Sequence, residues 1–177
     1  MALGNILSQN RKAILKRWFD LILETYPADT AALMRKDKNQ FTNPVGFTIS
    51  QEIEALFKGL LEDIGSAGLS SSLSAILKIR SIQDLSPSQA VGFIFLLKKA
   101  IEETVKGEIQ KETVRDEWLR FQTKIDELAL RAFDVYMDCR EKICEIRIKK
   151  AHAEREMAFK MMERMTYSKE KYPKGKD

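Results

Sequence analysis

The sequence predicts an all-α fold, a helical bundle with a long C-terminal helix, and three observations carry that expectation. Apolar residues recur at the 3.6-residue rhythm of helices along most of the chain, while the two-residue alternation of strands is nearly absent. The four prolines and eight glycines fall at what read as element ends. From Thr113 to Met165 the chain has neither proline nor glycine, the condition for one uninterrupted helix. At 177 residues, 44% hydrophobic and 32% charged, it is long enough for one proper core, or one core with an extension.

The elements follow in order. Ile14, Leu15, Trp18, Phe19, Ile22, Leu23 and Tyr26 form one stripe that Pro27 ends. Asn43-Pro44 starts the next helix, with a side chain able to cap and a fixed φ at the first helical position. Ile49, Ile53, Leu56, Phe57, Leu60 and Ile64 line its face, and Gly65 suits a left-handed C-terminal position. "GLSSSLSAILKI" reads as a polar turn leading into a short helix through Leu73, Ile76 and Leu77. Beyond it, Ser86 caps, Pro87 takes the first turn and Gln89 can reach back to close a capping box. The segment from Pro87 to Val105 is apolar on nearly every side until Lys98 and Lys99, so it is expected as a single central helix surrounded by the others. The last helix carries a heptad-like seam through Trp118, Phe121, Ile125, Leu128, Ala132, Val135 and Cys139. After a one-residue shift the seam continues at Ile143, Ile146, Ala153, Met157 and Met161. At ~1.5 Å per residue such a helix would run roughly 75 Å, more than this core can cover. Two units are therefore expected: a helical domain over 1–140, and over 141–177 a helical extension whose basic end, "TYSKEKYPKGKD", reads as disordered.

Charge and composition exclude several functions. From Arg140 to Asp177 there are 12 basic and 7 acidic residues, against 18 and 19 before them. The acids are interleaved with the bases, which fits a solvated helix and not a nucleic-acid grip. Ala90–Leu97 is less than half the ~18–20 apolar residues of a spanning helix, so no membrane insertion is expected. Cys139 and Cys144 lie five apart, turned ~140° from each other on a helix, too far for a disulfide or a shared metal. With no signal-peptide pattern at the start, a cytoplasmic location follows.

No catalytic constellation is legible. The single histidine, His152, stands among charges without companion ligands, so no metal site and no bound cofactor are expected. The carboxylate pairs, such as Glu102/Glu103, sit on the polar sides of amphipathic helices. The aromatic residues Trp18, Phe57, Phe93 and Phe95 either line an apolar cavity for a small ligand or simply fill the core. The seam residues Trp118, Phe121, Ile125, Leu128 and Val135 are the candidates for a dimer contact. The group Met157, Met161 and Met162 is the candidate for a partner helix, because methionine surfaces adapt to what they meet.

Three segments, "ILKRWFDLILETYP", "FTNPVGFTISQEIEALFKGLLEDI" and "IRSIQDLSPSQAVGFIFLLKKAI", are similar to the N-terminal sensory domain of the RsbRD type of RsbT co-antagonist proteins. The resemblance covers about residues 7–140, and its most specific part pairs Asn43-Pro44-Val45-Gly46 with Gln83-Asp84-Leu85-Ser86-Pro87-Ser88-Gln89-Ala90-Val91. It implies a globin-like sensor fold that binds no haem, associates as a homodimer and signals through a long helix to a STAS or kinase module. This sequence departs from that plan after the long helix, where neither module has room. The expected function is thus a non-enzymatic regulatory module that dimerises and binds an unidentified regulatory protein. The alternative is an accessory or adaptor subunit that docks its helix onto a larger complex, such as a membrane redox assembly.

Overall fold

In the computed structural model the fold is all-α, as expected. Residues 2–36, 39–64, 66–83 and 85–171 are described, with side chains placed except at 66–67 and 165–171. Eight helices occur among them: α1 (Ala2–Gln9), α2 (Arg11–Leu23), α3 (Ala28–Lys36), α4 (Pro44–Glu62), α5 (Ser66–Ser81), α6 (Pro87–Gly92), α7 (Leu96–Ile109) and α8 (Glu112–Lys171). The chain divides into two compact units, Met1–Cys139 and Arg140–Asp177.

In the first unit α2 packs on α7 and α4, α4 packs on α5, and α1 lies against α7. Trp18, Phe57, Ile94, Ile101 and Ile125 are among the side chains sealed in one continuous core. Leu23, Ala31 and Met34 make a small satellite beside it. The close crossing of α4 and α5 uses Gly59, where a Cβ would meet Leu69 Cδ2 at 2.5 Å. A carboxylate from α8 closes the start of α1, because Glu117 accepts the Leu3 N–H at 2.8 Å.

Several expectations need correcting. The central helix is two helices, not one: Ile94 N–H turns to Val91 and Leu97 N–H to Ile94. These i→i+3 bonds tighten the chain between α6 and α7. Water is nonetheless excluded from Ala90, Phe93, Ile94, Leu97, Ala100 and Ile101. Within α7, Val105 departs from helical geometry at φ −128°, ψ 32°. The polar turn expected in "GLSSSLSAILKI" is helical as part of α5, with Ser71 Oγ bonded back to the Gly68 carbonyl. Asp63, at φ 54°, takes the left-handed position at the end of α4. Gly65, expected there, lies outside the described residues, as does Asp84, and Ile64 is exposed. Helix α8 extends to Lys171, so the first six residues of the expected disordered tail are helical; those from 172 on lie outside the described residues.

Candidate functional site

The two family-like motifs lock the first unit at its turns. Asn43 caps α4: its Oδ1 accepts the Gly46 N–H at 3.0 Å, while its Nδ2 donates to the Met34 carbonyl at 3.0 Å. One buried amide thus ties the end of α3 to the start of α4. Position 46 must be glycine for this, since a Cβ there would lie 2.4 Å from Asn43 Nδ2. At the second motif the capping box forms, with Gln89 N–H on Ser86 Oγ and Ser86 N–H on Gln89 Oε1.

The break between α6 and α7 leaves carbonyls without their usual helical donors, and two distant side chains take them. Trp18 Nε1 donates to Phe93 O at 2.7 Å, its ring stacked on Phe93 with centroids 6.5 Å apart. Arg80 from α5 donates through Nε to Ala90 O and through a terminal nitrogen to Gln89 O, both at 3.0 Å. Its other terminal nitrogen reaches the Tyr26 hydroxyl at 3.0 Å. The guanidinium lies over the Tyr26 ring, 5.3 Å from its centroid, and 5.7 Å from that of Phe93. Arg80 is fully buried, and burial lowers its pKa against the opposing pull of the Tyr26 hydroxyl. Sequence reasoning passed over Arg80. Its signal was position: it falls three and four residues after Leu77 and Ile76, on the apolar stripe of its own helix.

The expected ligand aromatics separate. Trp18, Phe57 and Phe93 are buried in the core, whereas Phe95 is 48% exposed. The expected dimer seam is spent inside the chain: Trp118, Phe121, Ile125 and Leu128 are buried in the core and Val135 is half-buried against it. A different face of α8 is left open, carrying Leu130 at 71% and Phe133 at 47% exposure, with Met137 one turn on. Leu130 and Phe133 border an apolar groove of about 670 Å³ with Pro87, Val91, Gly92 and Phe95. Another groove, of about 710 Å³, is lined by charges of both signs, including Lys99, Glu102, Lys106 and Arg115, together with Ile109, Trp118 and Leu119.

In the second unit, residues 144–164 are exposed. Ile143, Ile146, Ala153, Met157 and Met161 fall within an arc of about 80° at ~100° per residue, a face with no cover from its own unit. Met157 and Met161 are 70% and 69% exposed, and Met162 is exposed beside them. His152 is exposed, Cys139 is half-buried, Cys144 is exposed, and both thiols are free. Among the described residues no three His, Cys, Asp or Glu side chains gather to hold a metal, and no helix is long and apolar enough to cross a membrane.

These features define a helical module that offers surfaces, with its polar chemistry used to fasten turns. The chain belongs to the RsbT co-antagonist protein rsbRD N-terminal domain family, which it matches over residues 12–148. That is a family of regulatory sensor domains. An uncharacterized protein of Archaeoglobus fulgidus is 27% identical over 155 residues, spanning 87% of this chain and 93% of that relative. No solved structure matches the chain.

Proposed function

We propose that the chain is a non-enzymatic signalling module that works as a homodimer and passes its state to a regulatory protein through the helix of the second unit. The observation that carries this reading is the exposed face of Ile146, Met157 and Met161. A helix gains most of its stability from packing an apolar face, and exposed contiguous apolar surface marks interaction sites. The family adds regulatory sensing to that physical argument. The only histidine, His152, stands in the second unit, so the packing of α2 across α4 and α7 fits the haem-free, globin-like arrangement that the resemblance implies.

The test is a photo-crosslinking residue at Met157 or Met161, introduced in the native host. It is expected to yield one dominant protein adduct, which a probe at the opposed residue Arg155 does not give. Absence of any adduct, together with rapid amide exchange across 144–164 in cells, refutes the reading. Capture of a subunit of a membrane redox assembly in place of a regulator would favour the adaptor alternative.

A further inference from the structure

The groove beside Leu130 and Phe133 contains a glycine that its own chain does not require. Gly92 closes α6 without a positive φ, and a Cβ built on it meets nothing within 4 Å. Glycine weakens a helix relative to alanine, and here neither backbone geometry nor a close neighbour in the same chain accounts for it. What the missing side chain does is keep the floor of the apolar groove open.

The same face carries both a hollow and the groups to fill one. Leu130 and Phe133 stand exposed on α8 at the rim, Phe95 stands exposed on the α6–α7 turn, and Val91, Gly92 and Ala129 form the recess between them. A surface that pairs with its own copy about a two-fold axis must be complementary to itself. Its charge must also not repel its duplicate. Beside the groove Lys98 Nζ pairs with Asp126 Oδ1 at 2.6 Å, neutral as a unit, with Lys98 5.8 Å from the Phe95 ring centroid. The exposed Arg131 and Asp134 that flank Leu130 and Phe133 are of opposite sign. No charged side chain lines the groove itself. The spacing of Leu130, Phe133 and Met137, three then four, is that of a helix packing against another.

We propose that this face is the contact between two copies of the chain, each seating Leu130 and Phe133 in the groove above Gly92 of the other. The proposal rests on the homodimer reading and gives that dimer its surface. It places the contact on the side of α8 away from Trp118 and Leu128.

Sedimentation and mass photometry of the full chain test it, with Gly92→Glu, Leu130→Arg and a control, Leu33→Glu, at a 62% exposed position on α3 outside the groove. The wild type is expected to be a dimer. Gly92→Glu and Leu130→Arg should each weaken it at least about 30-fold, with helicity and a cooperative thermal transition kept, because neither residue is packed in its own core. Leu33→Glu should leave the dimer unchanged. Mixing the Glu and Arg variants should restore association, since the contact sets position 92 of one copy against position 130 of the other. A wild-type monomer at tens of micromolar overturns both this contact and the homodimer reading. A wild-type dimer that neither variant weakens overturns the contact alone. So does an apolar molecule co-purifying with the wild type and lost from both variants, which would assign the groove to a ligand.

Discussion

Gly46→Ala and Gly92→Ala make the same chemical change in two helices, and the structure gives them opposite signs. At position 46 the new methyl would collide with all three outer atoms of the Asn43 side chain, at 2.4, 2.8 and 2.9 Å. Asn43 is 5% exposed and bonded at both ends, so it can yield only by giving up those bonds. Loss of the cap costs about 1 kcal/mol, and leaving the Met34 carbonyl without that donor adds about 1–2 kcal/mol. The helix-propensity gain of alanine offsets up to ~1 kcal/mol of this. A net loss of about 2 kcal/mol follows, roughly 4–8 °C in the thermal midpoint for a chain of this size. In a Leu130→Arg background, where no second copy covers the groove, Gly92→Ala meets open space and should gain ~0.5–1 kcal/mol. Urea titration followed by circular dichroism measures both. In an Asn43→Ala background the obstruction is gone, so Gly46→Ala should become neutral or slightly favourable there. Equal shifts for the two glycine variants, or an unchanged penalty in the Asn43→Ala background, would refute the reasoning.

Arg80→Met should lower stability by about 3 kcal/mol by stranding the Ala90 and Gln89 carbonyls, and Arg80→Lys should recover little, since one ammonium cannot replace a planar fork; denaturant titration of both variants checks this, and a lysine variant near wild type would contradict it. Leu128→Asp should fail to fold cooperatively, seen as a lost thermal transition, and a folded monomer would show that the residue is not core. The hydrogen bond from Arg17 holds the Glu103 carboxyl below its ordinary value. Its contribution is therefore complete above the unfolded pKa, 4.5, and disappears as pH falls through the lower folded value. Glu103→Gln should flatten that acid limb, most visibly at low salt, and an unchanged limb would disprove the linkage.

The fold class, the face of α4, its Asn43-Pro44 start and the capping box at Ser86 were legible because each depends on neighbours within a turn or two. The short helices α1 and α3 were not, since eight and nine residues are too few turns for a rhythm to repeat. The serines of α5 spoke for a turn locally, but burial of Leu73, Ile76 and Leu77 against α4 outweighed them. The division of the central helix was also hidden, since the groups that satisfy its freed carbonyls, on Trp18 and Arg80, arrive from other helices. The heptad-like seam of α8 teaches the most. A stripe from Trp118 to Leu128 looks the same whether its own chain or a second copy covers it, so periodicity reveals a face and not its occupant. The exposed Leu130–Phe133 face carries the weaker pattern, interrupted by Thr123 and Asp126.

The indole of Trp18 is sealed from water, stacked on Phe93 and bonded to the backbone of the α6–α7 turn. Its emission should therefore be short in wavelength and should redden when that turn loosens. Trp118, stacked on Phe121 in the same unit, supplies an internal reference, and Trp18→Phe separates the two signals. Any stimulus that shifts the turn could then be followed by intrinsic fluorescence in the unlabelled protein, before its chemical identity is known.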